Sequence, residues 1–326
     1  MKSKILVTRA VFPDVLDYLS QHFDVETNQQ DEIYSQAELI RRLQDKAGVF
    51  ANPAHRFDAE VFGACPGLKA VCNMAVGYNN IDVPAATAAG VMITNTPDVL
   101  NETTADMGWT LMMAAARRVA ESEHYLRAGL WKKTQYDDFL GVDVHGSTLG
   151  IIGMGRIGQA LARRAIGFNM KVVYHNRSRL SPENEAAANN AQYLSREELL
   201  RTADHVILVL PYTAASHHMI GAAELALMKP TATLVNIARG GIVDDAALIA
   251  ALKAGQIAAA GIDVYENEPA FNPDFLSLKN VVLTPHIGSA SVPTRKAMAY
   301  CAADNLIAAL SGTQPPNWLN PEAVPR

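Results

Sequence analysis

The chain has 326 residues, of which 49% are apolar and 19% charged, and a formal net charge of −5. That length exceeds what one hydrophobic core serves, so two domains are expected, and the composition excludes a disordered chain. Slight acidity with no lysine or arginine run excludes an electrostatic footprint for nucleic acid, and no apolar stretch reaches the ~18 residues of a membrane span.

The start, Met1 to Val7, has a basic flank but too short an apolar run for a signal peptide; it reads as a first strand and the expected location is the cytoplasm. Strand-like and helical runs then alternate almost to the end, the pattern of parallel α/β sheets. The first strands fall near Lys4 to Val7, Ala47 to Phe50, Ala70 to Cys72 and Val91 to Thr94. Cys65, Cys72 and Cys301 are odd in number and lack metal-ligand spacing, so they read as buried reduced thiols. Thr96-Pro97-Asp98 is a turn. A long helical pattern follows from Asn101 to Ala128, with Met107, Leu111, Met112 and Ala115 as its core stripe.

Leu149 to Ile152 is an apolar strand that runs straight into Gly153-x-Gly155-x-x-Gly158 and then into a helix former, Gln159 to Ala165. In that context the glycines read as a dinucleotide pocket. Gly153 permits the tight turn, Gly155 lets the backbone approach a pyrophosphate, and Gly158 lets the helix pack close to its strand. About 150 residues precede the motif, enough for a separate domain.

The next strand, Lys171 to Tyr174, would end at an acidic residue if the pocket held an unphosphorylated ribose. Its tip reads His175-Asn176-Arg177-Ser178-Arg179 instead. Arginine forks and a serine hydroxyl suit a 2′-phosphate, so the sequence favours NADPH, with NADH as a second possibility; Arg177 and Arg179 as plain solvated charges is the competing reading.

Further strands are expected at His205 to Leu210, Thr233 to Ile237, Ala259 to Val264 and Val281 to Thr284. The last three end near Arg239, Glu268 and His286, at the edge where open α/β sheets bind ligands. A guanidinium suits a carboxylate, an imidazole titrates unaided near neutral pH, and a neighbouring carboxylate favours the imidazolium. The remaining histidines, including His55, His124, His145 and His205, have no partners at metal spacing, and His217 and His218 would point to opposite sides of a strand; no metal site is expected. The tail from Gln314 to Arg326 holds four prolines and reads as extended.

These segments resemble the D-2-hydroxyacid dehydrogenases along nearly the whole chain. The resemblance is carried by Val76 to Asp82, the glycine motif, Asn236 to Asp244, Gly261 to Pro269 and Pro285 to Gly288. Within the family the similarity is greatest to glyoxylate/hydroxypyruvate and 2-ketogluconate reductases. It implies two doubly wound parallel-sheet α/β domains, the second a Rossmann dinucleotide-binding domain inserted into the first. Residues 1–98 and 289–326 would form the substrate-binding domain, and 99–288 the dinucleotide-binding domain. It implies reduction of a small 2-keto acid to the D-2-hydroxy acid, with His286 as proton donor, Glu268 tuning it, and Arg239 on the substrate carboxylate and keto oxygen.

The resemblance also implies that backbone N–H groups of Val76 and Gly77 bind that carboxylate. Nucleotide contacts would come from Thr104, Gly153, Gly155, Arg156, Ile157, Gly158, Asn176, Arg177, Ser178, Pro211, Ile237 and Asp263, although Asp263 reads equally as a structural cap. Substrate selection would lie near Asn52 to His55, Met74 to Gly77, Leu100 and Trp131, and Trp131 to Val144 would be the arm of a homodimer. Two other functions on the same fold stay open: a nucleotide-sensing co-repressor, and a phosphite- or formate-type dehydrogenase.

Overall fold

The computed structural model describes residues 2–323; Met1, where the N-terminal reading begins, and 324–326, the end of the expected extended tail, lie outside the described residues. The chain divides into two compact units, Met1–Leu100 with Ser291–Arg326, and Asn101–Ala290. Both are built on parallel sheets.

In the discontinuous unit the strands are β1 (Lys4–Val7), β2 (Asp24–Glu26), β3 (Gly48–Ala51), β4 (Ala70–Asn73) and β5 (Met92–Thr94), in the order β2-β1-β3-β4-β5. Alternate residues face opposite sides of a strand, and here both sides are apolar. Leu6, Val49, Val71 and Ile93 share one buried cluster, while Ile5, Val7, Phe50, Cys72 and Met92 share the other. The returning helix Val292–Ser311 covers the second face through Ala299, Ala302, Ala303 and Leu306. The chain beyond it is fastened rather than loose. Leu319 N–H donates to the Ile93 carbonyl and Ile93 N–H to Asn320 Oδ1, each at 2.8 Å, which covers the exposed edge of β5.

The continuous unit carries β6 (Thr148–Ile152), β7 (Lys171–His175), β8 (Gln192–Tyr193), β9 (His205–Leu208), β10 (Thr233–Asn236), β11 (Ala259–Ile262) and β12 (Val281–Leu283). Their order is β12-β11-β10-β9-β6-β7-β8, all parallel. The chain leaves β6 towards β7 and resumes on the other side at β9, so the carboxyl end of β6 is a topological switch point. The glycine motif stands there.

Two elements differ from the sequence expectation. The helical pattern from 101 to 128 is two helices, Asn101–Ala116 and Val119–Arg127, separated by Arg118 in the left-handed region at φ +52°. The Ala116 carbonyl, which would accept from the next helical turn, accepts the Val142 N–H at 2.9 Å instead, so a distant segment ends the helix. Edge strands β2 and β8 were not expected: at three and two residues they have no apolar run to announce them. Among the described residues no helix is long and apolar enough to cross a membrane.

Candidate active site

The switch point is shaped by close packing. Gly153 sits at φ +105°, and a Cβ there would lie 2.4 Å from the Val209 carbonyl oxygen; one on Gly158 would lie 2.2 Å from the Gly153 carbonyl oxygen. Both positions exclude any side chain. Gly155 is different. It is the N-cap of the helix Arg156–Ala165, offers no side-chain capping bond, and a Cβ on it would meet nothing within 4 Å. The helix therefore opens onto free space with its positive end, and these residues fit a dinucleotide pyrophosphate. Arg156 is exposed and Ile157 half-buried in the first helical turn.

At the tip of β7, Asn176 is held by the Tyr193 hydroxyl, which donates to its carbonyl at 3.3 Å, and Arg177 and Ser178 are exposed. Arg179 departs from the expected free fork. It donates twice to Glu185, at 2.8 and 2.9 Å, and the Tyr174 hydroxyl donates to the same carboxylate at 2.7 Å. The Arg179 guanidinium, helped by that hydroxyl, pulls the Glu185 carboxyl down to about 2. The Arg179 fork is thus committed to Glu185 through Nε and Nη2, whereas the exposed Arg177 has no such carboxylate partner among the described residues.

Further along the same sheet edge, Pro211 is exposed beyond β9, and Ile237 and Asp263 are buried just after β10 and β11. Thr104 is buried in the first turn of its helix, with its methyl group 3.6 Å from where a Cβ on Gly288 would stand.

Arg239 owes its place to a turn after β10. The Asn236 side chain accepts from the Ala238 N–H and donates to the Arg239 carbonyl, each at 3.0 Å. A Cβ on the next residue, Gly240, would fall 1.7 Å from the Tyr265 carbonyl oxygen, so the turn is pressed against the loop after β11. The Arg239 side chain is half-buried, and Nη1 donates to the Ala238 carbonyl at 2.7 Å. Burial lowers this guanidinium from its ordinary value against the opposing pull of Glu268, and it remains a cation at any working pH. In the sequence alone Asn236 is only the context of Arg239. An asparagine at a strand end, two residues before the residue it bonds, was the available signal.

Glu268 and His286 meet. Glu268 Oε1 accepts the Tyr265 N–H at 2.7 Å, and Oε2 lies 2.7 Å from His286 Nδ1. Because an ionised carboxylate only accepts, Nδ1 carries the hydrogen of this bond. Nε2 is left without a protein partner among the described residues. Burial raises the Glu268 carboxyl, but the bond to His286, the charge of the imidazolium and Arg239 outweigh it and hold it below its ordinary value.

His286 lies at φ +53°, a conformation that side-chain-bearing residues adopt only when their surroundings impose it. Asp263 imposes it. Its carbonyl accepts the His286 N–H at 2.9 Å, and its buried carboxylate accepts from Thr284 Oγ1 at 2.6 Å and from the Ile287 and Gly288 N–H groups at 2.8 Å each. Of its two sequence readings, the capping role is visible in these bonds. The Glu268 loop is held in turn by Asp245, whose carboxylate accepts the Glu266 N–H at 3.2 Å and which burial pushes up to about 6.

In the other unit, Val76 and Gly77 follow the end of β4 and are half-buried. His217 and His218 do not point to opposite sides of a strand: their segment is a turn, and the rings stack at 3.9 Å. The cysteines are unpaired, Cys65 and Cys72 buried and Cys301 half-buried.

Known proteins share the sequence and the fold of this chain. Residues 109–288 match the D-isomer specific 2-hydroxyacid dehydrogenase, NAD binding domain. The chain is 48% identical over 328 residues to a glyoxylate reductase of Thermococcus gammatolerans, covering 99% of this chain and 98% of that one. It is 46% identical to a glyoxylate reductase of Pyrococcus furiosus, covering 99% and 97%. Among solved structures, an NADPH-dependent glyoxylate/hydroxypyruvate reductase of Sinorhizobium meliloti, in complex with NADP and malonate, aligns with a TM-score of 0.87 at 34% identity, covering 100% of this chain and 99% of that one. A strand-end guanidinium, a carboxylate-bound imidazole and a glycine-lined helix start thus occur in a chain that belongs to the D-isomer specific 2-hydroxyacid dehydrogenase family, enzymes that reduce a keto acid with a nicotinamide dinucleotide.

Proposed function

We propose that this enzyme reduces a small 2-keto acid of the glyoxylate, hydroxypyruvate or 2-ketogluconate type to the D-2-hydroxy acid, with NADPH preferred over NADH. The observation that carries the reading is the 2.7 Å bond between His286 Nδ1 and Glu268, beside Arg239 at the same sheet edge. When bound, the reduced nicotinamide supplies hydride to the carbonyl carbon. His286 gives its Nε2 proton to the carbonyl oxygen, and in the reverse direction takes it back. Arg239 polarises that oxygen and binds the carboxylate, which the N–H groups of Val76 and Gly77 also hold.

The nucleotide is held by Gly153, Gly155, Arg156, Ile157 and Gly158 at the pyrophosphate, by Asn176, Arg177 and Ser178 at the adenosine end, and by Thr104, Pro211, Ile237 and Asp263 along the sheet edge. Residues 1–98 and 289–326 act as the substrate-binding domain and 99–288 as the dinucleotide-binding domain. Exposed apolar side chains on the arm after the second helix, Trp131 at 58% and Tyr136 at 99%, support a homodimer. Three unpaired cysteines support work in the reducing cytoplasm.

The test is a rate survey of glyoxylate, hydroxypyruvate, pyruvate and 2-ketogluconate, each with both reduced nucleotides. Oxidation of neither nucleotide by any of them would overturn the reading. Arg177→Ala is expected to raise the KM for NADPH roughly tenfold, the worth of one charge-assisted hydrogen bond, and to leave the KM for NADH nearly unchanged. Equal changes would remove the NADPH preference.

The pH dependence follows from Glu268. The bond to His286 and the charge of Arg239 help hold this carboxyl below its ordinary value, so at working pH it is the ionised form that accepts from Nδ1. Glu268→Gln keeps an acceptor but removes the charge, so the alkaline decline of kcat/KM in the reductive direction is expected to move to lower pH. A pH profile with its alkaline limb in place would show that Glu268 does not tune the acid.

A further inference from the structure

Three consecutive carbonyls beyond β4 are each tied to a neighbour. The Ala75 carbonyl accepts the Thr96 N–H at 3.0 Å, the Val76 carbonyl accepts Asn95 Nδ2 at 2.9 Å, and the Gly77 carbonyl accepts Asn73 Nδ2 at 2.9 Å. Since a carbonyl only accepts, each asparagine must present its NH2 group. Asn73 is the last residue of β4 and fully buried; Asn95 follows β5, is 7% exposed, and has its own carbonyl held by Asn305 Nδ2 at 3.2 Å. Both anchors are therefore buried side chains on or next to the sheet.

A trans peptide is planar, with each carbonyl opposed to the N–H of the following residue. Fixing the carbonyls of Ala75, Val76 and Gly77 therefore fixes the three peptide planes and with them the directions of the N–H groups of Val76, Gly77 and Tyr78. None of those three N–H groups donates to a protein acceptor among the described residues, and the segment is half-buried at Val76 and Gly77 and exposed at Tyr78. Successive N–H groups left without protein acceptors are what an anion-binding concavity is built from.

We propose that Asn73 and Asn95 are positioning residues that orient the carboxylate-binding backbone, and that the Tyr78 N–H is a third donor beside those of Val76 and Gly77. The inference rests on the reading that Val76 and Gly77 hold the substrate carboxylate. Neither asparagine touches the substrate. Each acts through the peptide plane whose carbonyl it holds, and a rotated plane takes its N–H away from the anion.

The test compares Asn95→Asp, which swaps the donor for a charged acceptor of the same shape, with Val76→Pro, which deletes one N–H directly. Oxalate, an unreactive dicarboxylate, is the binding probe. In both variants the KM for glyoxylate and the dissociation constant of oxalate are expected to rise roughly tenfold or more, the scale of a lost hydrogen bond to a charged group, while the KM for the nucleotide stays put and kcat changes less than KM. A rise in nucleotide KM to match would show that Asn95 only supports the fold, and would overturn the positioning role. If Val76→Pro weakens oxalate and a folded Asn95→Asp does not, the positioning role fails and the carboxylate reading stands. If neither weakens it, the carboxylate reading itself fails. Should either variant not fold, titration of the wild-type protein with oxalate decides by amide resonances: Val76, Gly77 and Tyr78 are expected to shift together. Shifts at Val76 and Gly77 without Tyr78 would overturn the planar argument, and no shift at any of the three would overturn the carboxylate reading with it.

Discussion

His286→Asn is expected to lower kcat for keto-acid reduction by about 10²–10⁴-fold, the usual contribution of a positioned general acid, and to leave the dissociation constant of the nucleotide unchanged. Asparagine keeps a donor that can reach Glu268 but has no proton to transfer at neutral pH. The fold should not register the change. The imidazole is 47% exposed, and the turn that carries it is held by Asp263 through the backbone of residues 286–288 and the Thr284 hydroxyl, none of which involves the ring. An unmoved melting temperature beside a collapsed kcat therefore identifies chemistry rather than folding as what was lost. A loss in kcat of less than about tenfold would remove His286 from the acid role and leave turnover without its proton source. The same measurement bears on the nucleotide-sensing alternative, since a sensor has no turnover to lose.

Glu268 sharpens the expectation. Its loop is fixed at two points before the carboxylate, by Asp245 at the Glu266 N–H and by its own Oε1 at the Tyr265 N–H. The imidazole is thus oriented by a carboxylate that is itself oriented, which is what proton transfer along one direction needs. A histidine on a solvated loop without such a chain of supports would be an ordinary surface residue.

The sequence was most legible where a strand is buried on both faces. Ile5 to Val7, Val71, Ile93, Ile151 and Val235 stand in apolar runs bounded by turn residues, and such runs admit few other readings. It was least legible where a distant group decides. Nothing around Arg117 and Arg118 says that Val142 will take the Ala116 carbonyl and stop the helix. At the cofactor tip the side-chain chemistry of Arg179 is plain in the sequence, but not that Glu185, six residues on, engages its fork. The strand-end positions of Arg239, Glu268 and His286 were readable from spacing. The residues that aim two of them, Asn236 and Asp263, act through backbone N–H and carbonyl groups, whose pairing leaves almost no trace in side-chain type.

That distinction makes Arg239→Lys the more demanding substitution. Its backbone turn is set by Asn236 and by the contact of Gly240 with Tyr265, so a change of side chain leaves the turn where it is. Charge is retained and only the planar fork is lost. Because a guanidinium grips a carboxylate and a developing oxyanion through several fixed donors, whereas an ammonium is a point charge, kcat/KM for the keto acid is expected to fall by about 10²–10³-fold, with kcat sharing the loss. Arg239→Ala should fall further and should also disturb Glu268, whose carboxyl is held down in part by the guanidinium. With that cation gone the carboxyl rises, and the acid limb of the pH profile moves towards neutrality in Arg239→Ala but not in Arg239→Lys. Steady-state rates for both variants across pH separate the two roles: a lysine variant near wild-type activity would reduce Arg239 to a counter-charge for Glu268, while a large loss with the acid limb in place assigns it to the substrate.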